Sequence, residues 1–235
     1  MSTKGGIGRR MFIKSLGAIS ILFATLDSSW SSFVSSLGVR TVEKDNFSFD
    51  SNTGKIYFKD HQIKEPYRLI VDGLVEKPLF ITYSELKSMN PIEQTSDFHC
   101  VEGWSVSGIK WKGIRFIEIF NRVKPDKSSK YITFHSLGET RSKPKGQGHY
   151  IESFPLDALL DEKKQILLAF EMNGKPLTHD HGAPLRVISP FDLAYKSIKF
   201  VHRIEFDKKP RDGWWTIANP IYPYHAPVPK ERLKI

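Results

Sequence analysis

Between residues 166 and 177 two segments, 166–172 and 175–177, are joined by Asn173-Gly174. Both turn residues tolerate the positive φ of a type I′ turn, so the segment predicts a β-hairpin and commits this part of the chain to a sheet. The rest reads the same way, as short strands between turns with few helices. Residues 67–75, closed off by Pro78, and residues 131–135, 185–189 and 197–206 are strand candidates. Residues 83–89 predict a short helix that stops before Pro91, because the residue preceding proline avoids the α region. Phe116, Ile117, Ile119, Phe120 and Val123 share one face at helical spacing, which predicts a helix over 114–123 covering the sheet. Ser153-Phe154-Pro155-Leu156-Asp157 predicts another, with Ser153 as cap and an acid in the first turn. The fold class expected is α+β, a mixed sheet with few helices.

The amino terminus reads as an address. Arg9-Arg10-Met11-Phe12-Ile13-Lys14 is a twin-arginine motif, followed by an apolar run over 16–26 that is broken at Asp27. A run this short falls well below the ~20 residues needed to span a bilayer, so the segment predicts an export signal on the route that carries folded proteins, with the envelope or periplasm as destination. The serine-rich stretch 28–36 offers no Ala-x-Ala, so an uncleaved tether stays open. The organisation expected is a leader over 1–40, one domain over 41–206, and an aromatic, proline-rich tail over 207–235. In the tail, Trp214, Trp215, Tyr222 and Tyr224 would anchor on the domain. The formal charge of +9 is partly the leader's, which holds Lys4, Arg9, Arg10, Lys14 and Arg40 against Asp27. The remainder lacks the Lys/Arg blocks of a nucleic-acid binder, and none is expected as a partner.

Cys100 is the only cysteine. In an oxidising compartment it can be a buried spectator, an intermolecular bridge, or a ligand. Two polar clusters follow downstream, His179-Asp180-His181-Gly182-Ala183-Pro184-Leu185-Arg186 and Tyr195-Lys196-Ser197-Ile198-Lys199. A zinc site from Cys100, His179, His181 and His99 has suitable ligand types, although a closed structural site usually shows two tightly spaced pairs. A non-catalytic envelope module and a binding protein with a structural cysteine also stay open. No Gly-rich phosphate loop, Cys-x-x-Cys-His haem site or iron–sulfur cysteine set is present.

Taken together, Cys100-x-x-x-Trp104 with Trp111-x-Gly113, then His181-Gly182-x-Pro184-x-Arg186, then Lys196-Ser197-Ile198-Lys199 resemble the molybdenum-pterin domain of the sulfite oxidase family, over about residues 55–206. The stretch Cys100-Val101-Glu102-Gly103-Trp104-Ser105 is most similar to the bacterial periplasmic branch typified by protein-methionine-sulfoxide reductase catalytic subunits. Sulfite oxidases carry an Arg-rich run where this chain has Glu102-Gly103-Trp104, so an S-oxide is the expected substrate rather than sulfite. The resemblance implies a molybdenum-molybdopterin cofactor with Cys100 as the metal's protein ligand. It implies cofactor contacts from Asp60, His61, Ser136, His181, Arg186, Ser197, Ile198 and Lys199, Asp60 standing where the family has Asn. The reaction implied is two-electron oxygen-atom transfer, with electrons exchanged through a haem-bearing membrane subunit or periplasmic cytochrome, by a monomeric chain. Glu102, two residues from Cys100, would share its side if that segment were extended.

Overall fold

The structure is a computed structural model and describes residues 42–233. The leader expected over 1–40 lies outside the described residues. Thirteen strands and four short helices are present among the described residues. Strands β1 (Phe47–Asp50), β2 (Lys55–Phe58) and β3 (Ile63–Pro66) form an antiparallel meander. A five-stranded sheet has the order β5-β4-β13-β8-β9, built from β4 (Arg68–Gly73), β5 (Leu79–Thr82), β8 (Tyr131–Ser136), β9 (Ile151–Pro155) and β13 (Val201–Asp207). Only its β4–β13 pair is parallel. The third sheet runs β11-β10-β7-β6, from β6 (Ile92–His99), β7 (Ser105–Arg115), β10 (Leu167–Met172) and β11 (Lys175–Pro176), with β12 (Arg186–Ile188) also paired to β10. The helices are α1 (Tyr83–Ser88), α2 (Ile117–Val123), α3 (Leu156–Leu160) and α4 (Trp214–Ala218).

Period-two alternation explains the main core. Leu69, Val71, Ile132, Phe134, Ile204 and Phe206 point inward from the five-stranded sheet, where they meet Phe116, Ile119 and Val123 of the α2 segment. Strand β10 serves two clusters. Leu168 and Phe170 belong to the main core, while Leu167 and Ala169 face a second one with Ile109, Trp111, Leu177 and Ile188. This double burial is why 166–170 reads as a continuous apolar run rather than an alternating one.

The hairpin forms at Asn173-Gly174 with φ of 52° and 75°. Helix α1 forms where expected, with a capping box between Thr82 and Glu85. Three boundaries differ from expectation. Residues 114–115 remain in β7, because Ile114 and Arg115 pair with Leu168 and Leu167, and the helix begins at Ile117. Ser153 caps nothing: it is buried in β9 opposite Thr133, and α3 starts only after Pro155. Strand β13 starts at Val201, since residues 194–196 form a 3-10 turn and Phe200 has a φ of 57°. Among the described residues, no helix is long and apolar enough to cross a membrane.

Candidate functional site

Cys100 sits at the tip of the β6–β7 hairpin. Its N–H donates to the Trp104 carbonyl at 2.9 Å, and the Gly103 N–H donates to the Cys100 carbonyl at 3.2 Å. Gly103 takes a φ of 96°, which a side chain rarely adopts. The segment is thus a tight turn, and the extended backbone that would align Glu102 with Cys100 does not occur. Glu102 is exposed and accepts from the Trp104 indole at 3.4 Å. Cys100 is half-buried, and burial pushes its thiol above the usual range.

Phe98 and Trp111, on the two strands of the same hairpin, cover Arg186. Its guanidinium carbon lies 5.3 Å from the Phe98 ring centre and 5.4 Å from that of Trp111. Arg186 is 3% exposed and donates to the carbonyls of His181 at 3.0 Å and Ser197 at 3.3 Å. Its Nε has no partner, nor has the buried Trp111 indole nitrogen. Among the described residues no carboxylate pairs with Arg186, and desolvation lowers its pKa to about 10.

Lys199 stands beside it in charge if not in contact. The ammonium donates to the Asp180 carbonyl at 3.2 Å, and burial, with Arg186 adding to it, lowers its pKa to about 8. His181 is buried, meets Thr178 Oγ1 at 2.7 Å through Nδ1, and is pushed below its ordinary pKa by burial and by Arg186. Ser197 accepts the Ser189 N–H at 3.1 Å, and the Ile198 carbonyl accepts the Val187 N–H at 2.9 Å. Lys199 feels the opposing charges of Glu43 and Asp180, whereas Arg186 has no such partner among the described residues, and taking a lone cation out of water costs several kcal/mol.

The remaining expected residues lie on a second wall. Ser136 is buried, with its hydroxyl 3.2 Å from Glu43 Oε1, and the charge of Glu43 is felt at Lys199. Asp60 and His61 are exposed and border a cavity of about 320 Å³ with Lys44, Asn46, Phe58, Gly138 and Glu139. Asp60 accepts from Asn46 at 2.9 Å. Asp45 joins this wall to the 179–182 loop, lying 3.4 Å from His179 and 2.7 Å from Lys59. The fold therefore brings His181, Arg186, Ser197, Ile198 and Lys199 together, ties Cys100 to them through Phe98, and links Ser136 through Glu43. Asp60 and His61 stay at the rim. Among the described residues no three His, Cys, Asp or Glu side chains converge as a metal-ligand set, so Cys100, His179 and His181 do not assemble a zinc site. Sequence reasoning missed Phe98 and Glu43. Phe98 carried a signal, standing two residues before the cysteine on what is a strand; Glu43 carried none.

Residues 57–215 match the model of the oxidoreductase molybdopterin-binding domain. The chain is 35% identical over 170 residues to the protein-methionine-sulfoxide reductase catalytic subunit MsrP of Ralstonia nicotianae, covering 69% of this chain and 50% of that protein. It is 31% identical over 164 residues to the uncharacterized oxidoreductase YuiH of Bacillus subtilis, covering 70% and 76%. The chain thus spans about half the length of the curated methionine-sulfoxide reductase relatives that it matches. Its fold is similar to the sulfane dehydrogenase SoxCD from Paracoccus pantotrophus, with a TM-score of 0.53 at 23% identity over 62% of this chain and 39% of that one. On the family match and the fold, this chain belongs to the oxidoreductase molybdopterin-binding domain family, the sulfite oxidase family.

Proposed function

We propose that the chain is a molybdopterin-dependent oxidoreductase that reduces an S-oxide, consuming two electrons and two protons to give a thioether and water. The observation that carries this is buried Arg186, which has no carboxylate partner among the described residues and lies beneath the hairpin that presents Cys100, with buried Lys199 on the same 181–199 segment. Such a set of donors fits a hydrogen-bonding ring system that ends in a phosphate. Arg186 and Lys199 would neutralise the phosphate, and the unpartnered Nε of Arg186 offers a donor for it. His181, Ser197 and Ile198 would orient the group from the 181–199 segment, with Ser136, Asp60 and His61 on the opposite wall. Cys100 would supply a thiolate, the soft donor that suits the metal. When bound, the group supplies the two-electron oxygen-atom chemistry.

The preference for an S-oxide rests on three supports. The Cys100 turn carries Glu102-Gly103-Trp104 in place of arginines that would hold sulfite bidentately. Val101 and Trp104 are 40% and 46% exposed beside Cys100, an apolar surface matched to a thioether. The MsrP relatives, named as protein-methionine-sulfoxide reductases, favour the same class, and their designation as catalytic subunits favours a separate electron donor. A haem-bearing membrane subunit or periplasmic cytochrome would fill that role. Export by the twin-arginine route, argued from Arg9-Arg10 and the apolar run over 16–26, would carry the folded, loaded protein to the periplasm. Domain limits of 41–206 with a tail over 207–235 fit this reading, as does a monomer.

Metal analysis tests it directly. Protein made in a host that synthesises the pterin should carry about one molybdenum per chain, lost in Cys100→Ala. Stoichiometric zinc, or metal unchanged in the variant, would overturn the proposal. A function that survives Cys100→Ser would favour a non-catalytic envelope module instead.

A further inference from the structure

The tail returns across the domain to the Cys100 turn. Ala226 and Val228 are buried, the Leu193 N–H donates to the Ala226 carbonyl at 2.7 Å, and the Val228 N–H donates to that of Phe191 at 2.9 Å. Residues 230–232 then form one 3-10 turn, closed by the Arg232 N–H on the Pro229 carbonyl at 2.9 Å. From there Arg232 Nη2 donates to the Trp104 carbonyl at 2.7 Å and to Ser105 Oγ at 3.1 Å, contacts that span 128 and 127 residues of chain.

Those two acceptors are the groups that close the turn on either side. The Trp104 carbonyl also accepts the Cys100 N–H at 2.9 Å, and the Ser105 hydroxyl also meets His99 Nδ1 at 2.8 Å. One guanidinium nitrogen therefore holds both the bond that fixes the Cys100 backbone and the bond that fixes its neighbour. Arg232 is half-buried, and its Nε has no partner. Neither half of the relationship is visible from sequence distance.

We propose that Arg232 is a positioning residue for the reaction: it clamps the Cys100 turn from the tail and thereby sets the direction in which the cysteine sulfur is presented. This rests on the reading of Cys100 as the metal's ligand. Its consequence is that the tail belongs to the site although it lies far from it in the chain. A charge-assisted bond to a carbonyl that already accepts one N–H restricts the turn more than either bond alone.

The test uses full-length protein purified with its cofactor, as Arg232→Ala and Arg232→Lys. In Arg232→Ala, amide exchange over residues 99–105 should rise about tenfold while β8 and β13 keep their protection. The Mo(V) paramagnetic resonance g-values should shift as well. Arg232→Lys, which keeps the charge and the donors on a side chain one bond shorter, should fall between the two and keeps the test open if the alanine variant folds poorly. Unchanged exchange and g-values in both variants would overturn the clamp. Faster exchange with unchanged g-values would overturn the positioning role, leaving only a surface tie. Wild-type protein without molybdenum would instead defeat the reading of Cys100, while the exchange data still report on the contact.

Discussion

Gly182 lies against Lys199 so closely that a β-carbon placed on it would meet both Cβ and Cγ of the lysine at 2.8 Å. Its φ of 96° adds backbone strain to any side chain there. Gly103 in the Cys100 turn has the same φ, yet nothing lies within 4 Å of its would-be β-carbon. The two positions therefore separate strain from displacement. Gly103→Ala should cost about 1 kcal/mol, and Gly182→Ala about 2–4 kcal/mol, because the lysine must move as well. Urea unfolding of the cofactor-free variants reads the cost, and metal content of the loaded ones reads the displacement. Equal losses at the two positions would show that the Lys199 contact is unimportant.

Arg186 supports a contrast between stability and loading. Replacing it with methionine removes a buried charge that has no carboxylate partner, while stranding the His181 and Ser197 carbonyls that it serves. These effects oppose one another, so cofactor-free Arg186→Met should stay within about 1–2 kcal/mol of wild type. Loading is where it should fail. Thermal melts with and without cofactor should show a rise on loading in wild type and none in the variant. A large loss in the cofactor-free protein would mean that Arg186 is structural.

Much of this was legible from particular residues. Asn173-Gly174 specified its hairpin because the turn demands residues that accept positive φ, and Thr82 and Glu85 specified the start of α1 through reciprocal capping. The polar clusters at 179–186 and 195–199 announced themselves by composition. What stayed hidden was set by pairing between distant strands. Ser153 has the look of a helix cap, but its partner Thr133 makes it a strand residue. The β6–β7 hairpin escaped notice because the alternation of Ile109 and Trp111 with Lys110 and Lys112 covers only four residues between Gly108 and Gly113. Missing that hairpin meant missing that Phe98 and Trp111 close over Arg186. The Arg232 contact could not be read at all, since no local rule links residues 128 apart.

Burial holds Lys199 at about 8, below the ordinary lysine value of 10.5. With the folded value depressed, the unfolded chain binds more protons between these limits. This contribution to stability is full above 10.5 and is lost as pH falls towards 8. Anion binding runs the other way, because it needs the ammonium. The dissociation constant of inorganic phosphate for the cofactor-free protein should rise above pH 8, approaching tenfold per unit. Lys199→Arg should hold it flat to pH 9. Isothermal titration across pH 7–10 decides, and a flat wild-type profile would mean that Lys199 does not face the anion.

On the outer face of the five-stranded sheet the hydrogen bonds run in one direction. Gln147 approaches His149 Nδ1 at 3.4 Å, His149 Nε2 meets His135 Nδ1 at 3.0 Å, and His135 Nε2 meets Glu205 at 3.0 Å. Glu205 is itself held by Arg203 at 3.2 Å and Arg211 at 3.1 Å, with Asp72 on Arg203 and Asp207 on Arg211. In this arrangement neutral His135 accepts at one nitrogen and donates at the other, so a second proton would break the chain. Burial and the neighbouring arginines lower its pKa to about 3, burial and His149 lower that of His202 to about 4, and His149 moves the same way. Depressed folded values mean stability that is present above the unfolded value of 6.5 and lost as pH falls towards 3. With close to two extra protons taken up on unfolding near pH 5, His135 and His202 contribute a slope of about 2–3 kcal/mol per pH unit. His135→Gln keeps one donor and one acceptor without a titrating group, and should remove about half of that slope. Urea unfolding at several pH values between 4.5 and 6.5 measures it, and an unchanged slope in the variant would mean that His135 is already charged in the folded protein.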